Sequence, residues 1–393
     1  CFSLKENRDS HNNIFVSHFV GLSGVGGVQR NFVEYINNRA TLEGDVFHKV
    51  YTLGEVDLQY KMSIKIYDIR ELKNLFALIV DIVSRNKIVH FYNNLTSLKV
   101  AILLFLLPVR NLIMHERGTI WNFPSSRKLL LRFISWKAHL ILANSNATKI
   151  MLEKKFSVPN GKIRVLHNGI NTEVKCTKFF LVKDRYPVFR VGFIGRLDTP
   201  KGVHVLIHAM KHLINNKINL VIAGDGALMG ALKNQADGLA SVSFIGRVSD
   251  PYKFFSNIDL LVVPSIREPL GNVCLEAGLC KTPVLAANVD GIPEIIENKV
   301  SGELINATDE VSINLLEGAA PLPELVVNSV TKKLVTPKQI NPSLLASKIL
   351  ELSSKPEQLL YYVDNLYYNV KINFSMNRYI KELHKIYYEL SIF

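Results

Sequence analysis

Apolar and polar positions fall along this chain in two alternating textures. Short continuous apolar runs at 13–20, 88–92, 111–114 and 140–143 predict buried strands. Each is followed by a polar loop and then by a helix-period pattern. The stretch 29–39, for example, places Phe32, Val33 and Ile36 on one face. A glycine-rich turn, 21–27, joins the first strand to that helix. Periodicity breaks over 177–187, and a second series of short apolar runs follows at 189–194, 218–223, 242–245, 260–263 and 282–286. Strand and helix alternating in this way predict an open parallel sheet, here twice. The expected fold class is therefore α/β, with two Rossmann-like doubly wound domains. Their expected extents are 1–180 and 181–370, with a C-terminal helix over 371–393 that packs back towards the first domain. The stretch 307–342, with Pro321, Pro323, Pro337 and Pro342, reads as an irregular excursion or mobile loop.

Composition narrows the class. The chain has 393 residues, 48% hydrophobic and 21% charged, which suits two folded domains. The longest apolar run, 100–109, is too short to cross a bilayer, which takes about 20 residues. It reads as a buried helix end running into a strand. Of the four cysteines, Cys1, Cys176, Cys274 and Cys280, none form a C-x-x-C pair, which fits a reducing, cytoplasmic compartment. A first residue that is Cys1 rather than Met reads as a trimmed start.

The net charge of +13 is unevenly placed. Residues 1–180 hold 25 Lys and Arg against 13 Asp and Glu, whereas residues 181–393 hold 22 against 21. The basic first half suggests a polyanionic partner, or else a solvated surface that keeps the protein soluble. It shows no recognisable nucleic-acid module, so nucleic acid is not an expected partner. Residues 128–138 mix Leu129, Leu130, Leu131, Phe133, Ile134 and Trp136 with Lys128, Arg132 and Lys137. Two readings fit: a helix that touches a membrane interface, or a half-buried helix feeding the next strand.

Two facing Rossmann-like domains leave a cleft at the carboxyl ends of their strands, where ligands bind. In the first glycine loop, Gly24 and Gly26 match the opening of a dinucleotide fingerprint, but Gln29 stands at its third glycine. A hydride-transfer enzyme is thus a poor fit. The second half carries more. Gly195, Arg196, Lys201 and Gly202 place a strand, a glycine turn and two cations ahead of a helix, a setting for two phosphates. Gly224-Asp225-Gly226 and Gly246-Arg247 follow two further strands. Glu268 and Glu276 stand eight apart, with Leu270, Gly271, Asn272 and Val273 between them at a predicted helix start. One carboxylate suits sugar hydroxyls, the other a ribose diol, and the amides between suit a pyrophosphate.

These residues resemble the donor half of the GT-B glycosyltransferases, in the large retaining family numbered four. The resemblance rests on the E-x7-E pair, the G-R and K-G segment and the G-D-G turn. It extends to Pro283-Val284-Leu285-Ala286 and Gly291-Ile292-Pro293-Glu294-Ile295-Ile296, with Ser301-Gly302 beyond. The first half matches less tightly, at Gly24 to Gly27, His115, Ser145 and Asn168-Gly169. Leu270 departs from the family, which often has an aromatic residue there, and 307–342 is longer than usual.

The resemblance implies transfer of a sugar from a nucleoside-diphosphate sugar, with retention, to a glycan or lipid-linked acceptor in bacterial surface polysaccharide synthesis. It implies that Arg196, Lys201 and the helix start at Gly271 stabilise the leaving diphosphate, with no metal and no cofactor; the chain has no D-x-D signature. It further implies that Glu268 faces the donor sugar and Glu276 the ribose. Gly26 and Gly27 would approach the phosphate and acceptor, Arg247 would lie near the base, and His115 would meet the sugar or reacting centre. Each has a plainer alternative: Arg196 and Lys201 as surface ion-pair partners, Glu276 as a solvated helix residue, His115 as a core histidine, Ser145 as a helix cap. His90 reads as structural. A sugar-nucleotide epimerase and a non-catalytic nucleotide-sugar-binding module are the rival functions. The expected location is the cytoplasm, with peripheral contact at the inner face of an anionic membrane.

Overall fold

The computed structural model describes residues 13–24, 26–38, 46–174, 176, 188–313 and 319–392. The expected break at 177–187 lies outside them. The first series of apolar runs forms β1 (Ile14–Phe19), β2 (Val46–Thr52), β3 (Ile66–Asp68), β4 (Lys87–Tyr92), β5 (Leu112–Glu116), β6 (Leu140–Ala143) and β7 (Ile163–Val165). They pair in parallel in the order β3-β2-β1-β4-β5-β6-β7. Parallel neighbours need crossovers, supplied among others by α1 (Gly27–Asn38), α2 (Leu72–Val83), α3 (Leu98–Leu106), α4 (Lys128–Lys137) and α5 (Asn146–Lys154).

The second series forms β8 (Phe189–Ile194), β9 (Ile218–Ala223), β10 (Val242–Gly246), β11 (Leu260–Val263), β12 (Val284–Ala287) and β13 (Glu303–Ile305), in parallel order β10-β9-β8-β11-β12-β13. Its helices include α6 (Val203–Lys211), α7 (Met229–Gln235), α8 (Pro251–Ser256) and α9 (Asn272–Leu279). The chain closes with α10 (Pro342–Ser353), α11 (Pro356–Asn373) and α12 (Met376–Ser391). Strand order reverses beside β1 in one sheet and beside β8 in the other, so each sheet opens a crevice at its carboxyl edge. The predicted pair of doubly wound sheets is thus present.

The last three helices brace both halves. α11 packs on α9, where a Cβ on Gly278 would sit 2.7 Å from Leu366. The chain then crosses beside Ile170, whose amide and carbonyl bond Phe374 and Met376 at 2.8 Å each, and α12 lies on α1, β1 and β4.

Two expectations are corrected. The stretch 307–342 is not simply an irregular loop: it contains an antiparallel hairpin, β14 (Val326–Val327) with β15 (Leu334–Val335). The hairpin packs on α5, and Val326, Val327 and Ile340 are buried. Its apolar residues are too few and too closely spaced to show a strand period. The cysteine spacing, read as fitting a reducing compartment, gave no sign that Cys176 and Cys280 form a disulfide across 104 residues. Cys274 is free and buried.

Beneath α12 the first domain buries a histidine and tyrosine cluster. His18 Nε2 and His48 Nδ1 lie 2.9 Å apart, His90 Nδ1 bonds the Tyr387 hydroxyl at 2.7 Å, and His384 Nε2 meets the Tyr35 hydroxyl at 3.3 Å. Burial holds His384 down to about 4 and His90 and His115 well below the ordinary histidine value of 6.5. At these histidines the unfolded chain therefore binds more protons than the fold as pH drops below 6.5, and their contribution to stability falls with it. The expected loss is about 1.4 kcal/mol per pH unit for each histidine that stays neutral. Urea unfolding of wild type and His384→Gln near pH 7 and near pH 5 checks this, because the comparison cancels the carboxyls that titrate over the same range: the stability of wild type relative to the variant should be lower at pH 5 than at pH 7. An equal difference between the two proteins at both pH values would refute the account.

Candidate active site

The site is built on the loops that leave β8, β11 and β12 and on the first turns of α1 and α9. After β8, Asp198 accepts the Lys201 amide through its carbonyl and a single 3-10 turn forms at 199–201. Gly202 then starts α6 with φ +67°, and a Cβ there would stand 2.0 Å from the Pro264 carbonyl oxygen. Only glycine fits that contact in that left-handed conformation. The close approach zips the two loops together: the Ile266 amide donates to the Pro200 carbonyl at 2.8 Å. It also brings Lys201 Nζ to 2.6 Å from Glu268 Oε2, which Ser265 Oγ meets at 3.3 Å.

Glu268 is held from behind as well. Its amide donates to Asp290 Oδ2 at 3.0 Å, and its carbonyl accepts the Gly291 amide at 3.0 Å. Asp290 also accepts the Val327 amide at 2.7 Å and, from the first domain, Trp121 Nε1 at 3.3 Å. Burial pushes Asp290 up to about 7 against the pull of these donors. Gly271, at φ +101°, turns the chain into α9, so Asn272 and Val273 open that helix without a side-chain cap among the described residues. Leu270 is buried beneath the turn.

Across the cleft stands the start of α1. A Cβ on Gly27 would sit 2.8 Å from Asn272 Nδ2, so the N-termini of α1 and α9 face each other. Gly26 lies one residue earlier; its amide meets the Tyr60 hydroxyl at 3.4 Å. Each helix end carries partial positive charge. Arg30 of α1 reaches Glu276 of α9 at 3.6 Å, and burial raises the Glu276 carboxyl above its usual range. Burial also raises Glu34, to about 7.

The remaining predicted residues are placed as follows. Arg196 is largely exposed, 3.6 Å from Asp198, and Gly195 beside it opens the loop after β8. Arg247 is exposed, 3.5 Å from Asp225, and lines a groove of about 520 Å³ with Ile245, Val248, Asp250 and Phe254. That groove runs along β10 to Arg190, away from Lys201 and Glu268. His115 does not stand in the open cleft. Its ring is buried, stacked 5.3 Å from His90, and neither nitrogen has a hydrogen-bond partner among the described residues. Ser145 is a cap: its Oγ accepts the Thr148 amide at 3.0 Å and donates to the Pro269 carbonyl at 2.6 Å in the other domain.

Three contributors had no role assigned from sequence. Buried Arg117 donates to Asn168 Oδ1 at 2.7 Å and to Asn31 Oδ1, and Asn168 Nδ2 donates to Asn272 Oδ1 at 2.8 Å. This relay ties β5 and α1 to the start of α9. Glu294 accepts the Asn146 and Ala147 amides at 2.8 and 2.9 Å, so a carboxylate of one domain caps α5 of the other. His167 joins it at 2.7 Å. Asp290 is the third. Their signal in the sequence was position: Arg117 two residues past His115, Glu294 and Asp290 within or beside the G-I-P-E segment.

The model for glycosyl transferases group 1 matches residues 188–317, and that for glycosyltransferase family 4 matches residues 44–174. One match falls on each sheet. The chain belongs to the family 4 glycosyltransferases. A capsular polysaccharide biosynthesis glycosyltransferase of Staphylococcus aureus is 29% identical over 43% of this chain and 48% of its own. An N-acetylgalactosaminyltransferase of Campylobacter jejuni, named for an acceptor on diphospho-undecaprenol, is 29% identical over 49% of this chain and 53% of its own. The chain spans about half the length of the curated relatives it matches. Among solved structures, Anabaena HepE with UDP and glucose superposes with a TM-score of 0.71 over 94% of this chain and 98% of that one, at 19% identity. Two parallel sheets that face each other, and this superposition, make the fold GT-B.

In this family 4 chain the contact between Gly202 and Pro264 is a structural condition for the site. Gly202→Ala should cost at least about 2 kcal/mol, from the left-handed conformation and the clash together. Chemical denaturation measures it; a loss below about 0.5 kcal/mol would show that the loops part without penalty.

Proposed function

We propose that this chain transfers a sugar from a nucleoside-diphosphate sugar to a glycan or lipid-linked saccharide, with retention and without a metal. The observation that carries the reading is the convergence of two helix N-termini, Gly27 and Asn272, beside Lys201 and Glu268. Three sources of positive charge then converge, both helix ends and Lys201, with Arg196 exposed on the loop after β8 beside Asp198. A diphosphate is the anion that matches them.

The chemistry follows from that placement. The bond from the anomeric carbon to the diphosphate oxygen breaks, and the electron pair leaves with the diphosphate. Arg196, Lys201 and the α9 amides at Asn272 and Val273 stabilise the charge that develops there, the part a divalent metal plays elsewhere. Glu268, beside Lys201, takes the sugar hydroxyls, and Glu276 takes the ribose. The acceptor hydroxyl enters on the face the diphosphate leaves, which retains configuration, and its proton goes to the departing phosphate oxygen. His115, whose buried ring nitrogens lack hydrogen-bond partners among the described residues at the end of β5, contacts the sugar when the cleft is filled. Gly26 and Gly27 let the phosphate and acceptor approach the α1 amides, and Arg247 lies beside the base. Surface polysaccharide synthesis in bacteria, in the cytoplasm at an anionic membrane, is the setting we infer. The names of the Staphylococcus and Campylobacter relatives favour it, and the UDP held by HepE favours a uridine donor.

A nucleotide-release assay over a panel of donors tests this. Arg196→Ala and Lys201→Ala should each lower turnover about 10²-fold or more, the scale of losing one transition-state charge partner. Wild-type turnover in both would sink the assignment, and an epimerised donor with no transfer would mark the rival reaction. Turnover should persist in excess EDTA; activity restored only by Mn²⁺ or Mg²⁺ would refute the metal-free mechanism.

A further inference from the structure

On the outer side of the first domain, α3 and α4 pack on each other and turn apolar side chains to solvent. On α3 these are Leu98, Ile102, Phe105 and Leu106, between 53 and 71% exposed; their spacing of four, seven and eight puts them in one stripe. On α4 they are Leu129 and Trp136, 78 and 69% exposed. Phe133 joins the two stripes, its ring 6.2 Å from both Phe105 and Trp136. Trp136, for which both burial and exposure were open from sequence, is exposed. Below it, Lys162 Nζ donates to the carbonyls of Ser135, Trp136 and Ala138 at 3.1, 2.8 and 2.9 Å. That clamp closes the last turn of α4 and fixes the tryptophan where it projects.

Charge surrounds this stripe with one sign. Between Asp81 and Glu153 the chain holds ten Lys and Arg and one carboxylate, Glu116. Glu116 is buried, taken up by the amides of Gly118, Thr119 and Ile120. Lys99, Arg110, Arg127, Lys128, Arg132 and Lys137 flank the apolar side chains, and none of them forms an ion pair among the described residues.

We infer that the α3–α4 face docks on an anionic lipid bilayer. A second copy of the chain would set these six cations against six more, and a protein partner would have to supply both an apolar groove and a ring of carboxylates. An anionic bilayer supplies an apolar interior and a negative surface together, with about 1 kcal/mol per nearby cation. The helices lie on it and do not cross it: α3 has nine residues, and no described helix is long and apolar enough to span. Both helices follow strands of the parallel sheet, so they start at the cleft edge and run away from it. The stripe therefore reaches the edge of the proposed site. This deepens the lipid-linked acceptor reading, on which it rests for its purpose but not for its physics.

The full chain provides its own reporter. It has two tryptophans, and Trp121 is buried. With vesicles of phosphatidylcholine and phosphatidylglycerol in equal parts, emission should shift to the blue and the protein should co-sediment. With phosphatidylcholine alone it should do neither, and rising salt should release it. Trp136→Phe should abolish the shift. Phe105→Ser with Leu106→Ser, and separately Lys128→Glu with Arg132→Glu, should each weaken sedimentation at least about tenfold, which is about 1.4 kcal/mol. These side chains are exposed, and nucleotide release towards a water-soluble acceptor should be unchanged in both variants. Equal sedimentation with both vesicle types, or none with either, overturns the inference. So does a blue shift that follows protein concentration without lipid, which assigns the face to a second copy. Absence of nucleotide release with every donor, while vesicle binding persists, would instead remove the transferase reading and leave the docking face standing.

Discussion

Two helices point their N-termini at each other across one cleft, and the molecule has to hold them there. Alone, the start of α1 and the start of α9 would repel through the positive ends of their dipoles. The fold answers with carboxylates and polar relays. Glu276 meets Arg30, Glu268 meets Lys201, and Asn168 couples Arg117 to Asn272. A diphosphate entering the cleft would offer the same positive groups stronger partners and release the two carboxylates to hydroxyl groups. In this view the unliganded arrangement is already balanced, and the ligand redistributes its charge pairs.

The interface between domains is built by side chains that act on the far side. Glu294 leaves its own domain to cap α5, Trp121 crosses to Asp290, and Ser145 caps its own helix while holding Pro269. Asp290 bonds the backbone of Glu268, so the position of a site carboxylate depends on a tryptophan of the opposite domain. α12 adds a second brace, lying on α1 through the buried histidine and tyrosine cluster while α11 backs α9. Each helix that faces the cleft is thus supported by a helix from the end of the chain.

The two βα series, the parallel sheets and the G-R, K-G and E-x7-E residues were legible in the sequence because they are local. A strand or a helix turn is set by neighbours a few residues apart, and Gly202 and Gly271 mark backbone turns that few other residues allow. Leu270 to Val273 and Glu276 fell where the spacing put them, at the start of α9. The tertiary structure decided what depended on distant partners. It buried His115 against His90, made Ser145 a cap and exposed Trp136. It gave Arg117, Asp290 and Glu294 their work, paired Cys176 with Cys280, and folded a hairpin where proline spacing suggested a loop. Periodicity records which face of an element is apolar. It does not record what comes to lie against that face, because that is settled by residues 100 or more positions away, as Cys176 and Cys280 are.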